Sequence, residues 1–559
     1  MLRRQIQVRL VTLAAGVVTW GVVAGPAWAL TRSCGPDAVA NTNNVLCAAP
    51  SGPCNATSVT MGASIDVTSG GCDFDLGNRA LTVSKTLQMT ALGFIKIRNA
   101  ASITVTSTGK LKARGDFVEP NGYIVPGGSV SLDSVGAINI AGIIDVSGDP
   151  GGSVHVFGAA GVTLQSGSLV QSNGTTSFVL DGNRYSDGGQ IDIESAAGAI
   201  TINDAISTTG TRHGAGGVVV LQAARTVGIA GTIDAHGGES DGGDVVVVAG
   251  DDITIGKTIT VESSGGGGAG GRIDLTAGVD ALGGIATGGG VTVLGSDLKL
   301  SGSSLSGGAG DGGALFITAS GPVRLTGTGV GIHASSGATG DGFGGTVVID
   351  TTDGDDSTIG ALDGDISIDG IIVAQGGSTG GDGGDIALFA GKSLTLNASV
   401  NVTGEDDGGT FLGAAGGAVA LNGAISAQAS DAAGLGGSVD VRGGFAQNAT
   451  LSVTKDILVA SGANSTAAQS IFLSSCALTV GSSVKLDGRA GTSGGASIQL
   501  VARQPMQLNG TSQYLAGPGG TIQTIHPPGQ NPVIGAGAVF SPARTDVPTT
   551  TFPFQPCAQ

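Results

Sequence analysis

The chain has 559 residues, with 43 acidic against 25 basic side chains, a formal net charge of −18, 104 glycines, and only 3% aromatic and 12% charged residues. The acidic balance argues against nucleic acid and anionic membrane surfaces as partners, and a hydrophobic share of 40% excludes a disordered polymer. So glycine-rich and aromatic-poor a composition excludes a compact multi-domain enzyme as the expected architecture and points to a repetitive solenoid.

Residues 1–29 read as a signal peptide: Arg3, Arg4 and Arg9 form a basic start, Val11 to Ala24 an apolar stretch, and Ala27-Trp28-Ala29 a small-residue cleavage box. The mature chain is expected to begin near Leu30 with 22 basic against 43 acidic residues, a charge of −21, in a secreted, cell-surface or periplasmic location. No later stretch is apolar enough to span a bilayer. Residues 30–79 hold Cys34, Cys47, Cys54 and Cys72 and read as a cysteine-rich N-terminal cap. With Cys476 and Cys557 the count is even and placed at the two ends, which in an exported chain points to disulfides that close the caps. Two local bridges are expected among the first four cysteines. Cys476 with Cys557 would tie down a proline-rich tail, 526–559. The spacings contain no CxxC pair, so a zinc site is not expected.

Residues 80–525 carry a repeat, GG-x-φ-x-φ, with φ aliphatic. Glycine pairs open at Gly127, Gly151, Gly188, Gly216, Gly242, Gly270, Gly312, Gly344, Gly383, Gly416, Gly436, Gly494 and Gly519, and in the first eleven both φ positions are aliphatic. Spacing by two puts both side chains on one face of a strand, and the glycines are expected to supply a positive φ at the corner before it. A second strand reads φ-x-φ, as in Ile138/Ile140, Ile253/Ile255 and Leu478/Val480; a third ends in a small residue and glycine, as in Ile143 to Gly148 and Thr232 to Gly237. Units recur every 20 to 42 residues. The one interval of 58, from Gly436 to Gly494, reads as two coils in which Ala468-Gln469 replaces a glycine pair before Ser470. No single unit buries its own apolar face, so the units must stack. The reading is all-β, a right-handed parallel β-helix of about 16 coils, roughly 75 Å long at about 4.8 Å per coil. Val247, Ile273, Ile317 and Ile349 are expected to share one inward column.

This rhythm resembles the β-helical repeats of secreted bacterial exoproteins of the filamentous haemagglutinin and adhesin type. The resemblance implies the same fold and an exported surface protein. It does not fix a function, because such coils carry adhesins, polysaccharide-degrading enzymes and inert stalks alike.

Chemistry must then lie on outward faces or in loops. Between the aliphatic pairs of the first strand the outward residues run Ser131, His155, Asp192, Val220, Val246, Asp274, Phe316, Val348, Ala387, Ala420 and Asp440, with no two carboxylates on adjacent coils for glycoside hydrolysis. The best catalytic constellation is Asp187 with Arg212 and His213, corner residues of neighbouring units. Asp350, Asp353, Asp355 and Asp356 form the densest acidic stretch, a candidate Ca²⁺ loop whose simpler reading is a solvated insertion. Asp before Gly-Gly, at Asp187, Asp241, Asp311, Asp382 and Asp407, reads as a turn residue bonding nearby amides. Thr104, Thr163, Thr201, Thr254, Thr292, Thr395 and Thr479 sit outward in the second strands, a possible ladder for ice or glycans interrupted at Asn139, Gly228, Arg324, Ser367 and Ser452. The expectation is a structural or adhesive surface or matrix protein without catalytic activity, partnered by glycans or proteins and with no cofactor beyond Ca²⁺. The alternatives are a polysaccharide lyase or glycoside hydrolase, and an ice- or glycan-binding protein.

Overall fold

A computed structural model of the protein describes residues 31–34, 57–61, 64–67, 71–90, 93–115, 125–175, 186–279, 288–303, 310–327, 330–352, 364–444, 449–465, 469–491 and 494–552. Among them there is no helix, and the strands form one sheet of 33 and another of 17. One coil shows the pattern. Asp244–Ala249, Ile253–Ile255 and Ile259–Thr260 pair in parallel, in order, with Arg272–Ala277, Val291–Leu294 and Asp297–Lys299 of the next coil. First and second strands share the larger sheet because Gly71–Val83 and Phe94–Val105 run unbroken through both positions; third strands make the smaller one. This is a parallel β-helix, and the coils extend past 80–525 on both sides, from Ser58–Met61 to Thr545–Pro548. The smaller sheet, here the third sheet because third strands make it, has 17 rungs among the described residues.

Alternation does the sorting. In Asp244–Ala249 the residues Val245, Val247 and Ala249 are fully buried while Asp244 is exposed, and the same alternation repeats through the stack. Each buried Val, Leu or Ile contributes about 1.5–3 kcal/mol of transfer free energy, and the inward columns are continuous. Val247, Leu275, Ile317 and Ile349 share one of them. Ile273 belongs to the neighbouring column, with Val245, Leu315 and Val347. It stands two residues after the second glycine of its pair, whereas Val247, Ile317 and Ile349 each stand four residues after theirs.

The glycine pairs act by close approach, not by φ. Of the pairs that open first strands, Gly519 alone contributes a residue with positive φ. The first glycine donates its N–H to the coil above, as Gly242 to the Ala269 carbonyl at 2.9 Å; the second turns back into its own coil, as Gly243 to the Ala235 carbonyl at 2.8 Å. A Cβ on Gly242 would collide with the Val261 carbonyl oxygen and the Gly271 nitrogen, and one on Gly243 with the Gly217 carbonyl oxygen. Backbones of two coils cross there with no room for a side chain.

The expected gap at Gly436–Gly494 is filled as read, by Ser470–Ser475. The Gly416 pair, however, lies in a turn: the strand after it, Val419–Leu421, is a second strand, and the coil opens at Gly408-Gly409 with Thr410–Ala415. Its inward pair is Phe411 and Gly413 instead of two aliphatics, with the Phe411 ring filling the space beside Gly413. The outward residue on this rung is accordingly Leu412 and not Ala420.

Both ends depart from the repeat. Thr31–Cys34 pairs antiparallel with Gly71–Val83, setting Cys34 opposite Cys72. At the other end Phe540 stacks on the buried Tyr514 at 4.6 Å, Arg544 lies 5.4 Å over the Phe540 ring, and Asp546, paired with Arg544 at 2.8 Å, takes the register position above buried Thr524. A charge at an inward position blocks a further coil, a known way of closing a sheet edge. Cys72 and Cys476 are fully buried and neither is a free thiol. Cys47, Cys54, Cys557 and the side chain of Cys34 lie outside the described residues, as does the whole 1–29 segment.

Candidate functional site

Asp187, Arg212 and His213 lie on the edge between third and first strands, where the glycine pairs stack. Asp187 accepts a hydrogen bond from the Ala215 amide at 2.8 Å, and the other aspartates before glycine pairs repeat the arrangement: Asp241 with Ala269 at 2.9 Å, Asp311 with Phe343 at 2.8 Å, Asp382 with Asp407 at 3.1 Å, Asp407 with Leu435 at 2.9 Å. The amide belongs to the next coil in every case, so these carboxylates are rungs between coils and not local turn caps. Arg212 and His213 turn to a different acid. Arg212 Nε lies 2.7 Å and His213 Nδ1 2.5 Å from the two carboxylate oxygens of Glu239, one coil on. The proposed constellation is thus split into two inter-coil ties, and Glu239 is the residue that sequence reasoning missed.

Asp350 closes the strand Thr346–Asp350 and accepts hydrogen bonds from the Thr352 amide at 2.8 Å and hydroxyl at 2.7 Å. Asp353, Asp355 and Asp356 lie outside the described residues. Among the described residues no group of three or more His, Cys, Asp or Glu is arranged to hold a metal ion, and no helix is long and apolar enough to cross a membrane.

The threonines do share one outward column. Thr60, Thr82, Thr104, Asn139, Thr163, Thr201, Gly228, Thr254, Thr292, Arg324, Ser367, Thr395, Ala420, Ser452 and Thr479 follow one another rung by rung. Beside part of it runs a side-chain ladder: Asn397 donates to Asp369 at 2.7 Å, Asn422 to Asn397 at 3.0 Å, and Thr454 to Asn422 at 3.2 Å. These side chains hydrogen-bond to one another from coil to coil along the rod.

The third sheet carries a titratable patch that no motif announced. Asp234, Thr260, Lys299 and His333 occupy one outward column, with His236 and Glu262 beside it. Asp234 Oδ1 lies 2.7 Å from His236 Nδ1, and Asp297 3.8 Å from His333. The hydrogen bond to Asp234 raises the His236 pKa against the opposing effect of burial, and burial raises that of Glu262 against the pull of Lys299, His333 and His236. The residues are far apart in sequence; only the third-strand register, which the sequence reading placed loosely, joins them.

Two shallow grooves, about 740 and about 480 Å³, follow the glycine seam; the second is bordered by Asp244, Arg272 and the exposed ring of Phe343. Burial raises the Asp244 carboxyl, with Arg272 opposing it. The seam offers backbone and staples more than converging side chains. No family model, no curated protein and no solved structure matches the chain.

Proposed function

We propose that the protein is an exported, disulfide-capped structural rod that attaches to glycans or proteins of a cell surface or matrix, in the manner of the adhesins its repeat resembles. The observation that carries this reading is the employment of the candidate catalytic groups: Asp187 is bound to the Ala215 amide, and Arg212 and His213 are bound to Glu239, so each holds one coil to the next. Cys34 opposite Cys72 supports a bridge that pins the first strand across the N-terminal edge. For the other end, Arg503 stacks 4.7 Å over Phe552 while the neighbouring Gln504 donates to the Cys476 carbonyl at 2.7 Å, which supports a Cys476–Cys557 bridge under the tail. The test is retention of the purified mature chain on glycan- and matrix-coated surfaces, assayed together with glycan turnover. Retention without turnover is expected. Turnover abolished by Asp187→Ala or Arg212→Ala, with the melting temperature unchanged, would replace this reading with the lyase alternative.

A further inference from the structure

Charge along the rod is segregated. Between Gly77 and Gly115 stand seven cations and no acid, in a chain whose formal net charge is −18. The fold then gathers part of this excess on one flat side. Lys110–Arg114 is a third strand whose outward residues are Lys110, Lys112 and Arg114, and the Lys110 amide donates to the Lys85 carbonyl of the preceding coil at 3.1 Å, so Lys85 stands one rung away, exposed in the bend just before Thr86, the register partner of Lys110. Arg114 is committed to the buried carboxylate of Asp145 at 3.2 Å, and Arg98, on the other sheet, to Asp73 and Asp75 at 2.9 Å. Lys85, Lys110 and Lys112 pair with no carboxylate among the described residues. The rung below Lys112 presents neutral Gln88, with Asp66 one rung further down; the rung above presents Ile143 over Lys110 and, over Lys112, Asp145, whose carboxylate Arg114 holds. The acidic surplus of the chain therefore does not describe this end of it.

We propose that Lys85, Lys110 and Lys112 form a docking site for an acidic glycan, a polymer bearing carboxylate, sulfate or phosphate groups that lies along the N-terminal end of the third sheet. The inference rests on the adhesive reading and names its partner class. Lys110 and Lys112 stand two residues apart on one strand, about 6.6 Å at about 3.3 Å per residue, and Lys85 one rung away at about 4.8 Å; these spacings are on the scale of successive sugar units, and a flat sheet side suits an extended chain. A lipid surface would call for an apolar anchor beside the basic residues, and the outward register neighbours of Lys110 and Lys112 are Thr86, Gln88, Asp145 and the half-buried Ile143. The acidic remainder of the rod would repel the same polymer and confine it to this end.

The experiment uses the mature full chain on immobilised polygalacturonate and dextran sulfate, at low and at physiological ionic strength. Binding is expected, weakening with salt as screening shortens the reach of the charges. Replacing Lys85, Lys110 and Lys112 together by Gln should weaken it roughly tenfold or more, from several-fold per lysine, at an unchanged melting temperature. Replacing Lys257, Lys392 and Lys455 by Gln should leave it unchanged. Equal binding by the Lys85/Lys110/Lys112 variant would overturn the site while leaving the adhesive reading in place. Retention on matrix protein or neutral glycan with none on either polyanion would also overturn the site alone, whereas no retention on any surface would remove both. Capture by phosphatidylglycerol vesicles without binding to either polyanion would replace the glycan by a membrane and overturn the proposal.

Discussion

Along one strand, Ile253 and Ile255 point into the rod and Thr254 points out, and the two sides of that strand follow different rules. The inward column accepts aliphatic residues for rung after rung: Ile140, Leu164, Ile202, Ile229, Ile255, Val293, Leu325. The outward column beside it passes through Thr, Asn, Gly, Arg, Ser and Ala without interrupting the pairing. Stacking neighbours supplies the stability of a solenoid, so selection for the fold bears on the inside and on the backbone crossings. The outside is released from it, and differences in function are free to be written there.

The sharpest way to break this comparison is to place a charge inside. Ile317 is 1% exposed, between Leu275 and Ile349. Ile317→Asp buries a carboxylate with no partner and should cost more than about 4 kcal/mol, read as loss of the folded fraction in urea denaturation. A variant as stable as the parent would mean that the assigned register is wrong.

Two glycines probe the same contrast with smaller effects. At Gly242 an added methyl meets backbone on two sides, and backbone cannot rotate away; Gly242→Ala should cost about 3 kcal/mol by overpacking. Gly228 stands in the outward column, where a Cβ meets nothing within 4 Å. Gly228→Thr continues the run from Thr201 to Thr254 and should stabilise by roughly 0.5–1 kcal/mol through strand propensity and reduced chain entropy. Equal and opposite shifts in melting temperature would not be expected; a destabilising Gly228→Thr would show that the outer face is as constrained as the corners.

What could be read from the sequence follows the same division. The period-two aliphatic pairs gave the strands, their inward faces and the stacking, because burial imposes that pattern on every coil. The repeat was misread at Gly416, where Phe411 with Gly413 keeps the enclosed volume while breaking the aliphatic pattern. The glycine pairs were found for a reason the structure replaces: a glycine motif marks a missing side chain, and sequence does not say whether φ or a neighbouring coil forbids one. The site residues were least legible. Asp187 and Arg212 were placed on one edge correctly but their partners, the Ala215 amide and Glu239, depend on which atoms meet across coils. The patch at Asp234, His236, Glu262, Lys299 and His333 depends on third strands as short as Ile233–Asp234 and Ile259–Thr260, too brief for a periodic signal.

That patch yields the smallest effect and the one that tests whether the outer face is coupled to stability at all. His236 is held by Asp234 on its own rung and faces Glu262 on the next, with Lys299 and His333 beyond; Arg212, His213 and Glu239 lie at the adjoining corner. The hydrogen bond to Asp234 raises the His236 pKa, so the folded state binds this proton more tightly than the unfolded chain does. The contribution is complete below the unfolded value of about 6.5 and is lost as pH rises through the higher folded value. Glu262, raised by burial, acts in the same direction from lower pH upward. Asp487 runs the other way: burial pushes its carboxyl up, but hydrogen bonds from Arg489 and Lys485 outweigh burial and hold it low, so its contribution is lost only in acid, well below this window. The melting temperature should therefore fall from pH 6 to pH 8 by more in the parent than in His236→Gln, where that proton is absent. Parallel curves for the two proteins would show that the exposed pair exchanges its proton without consequence for the fold, and that the outer columns are free of the inner ones even where they carry charge.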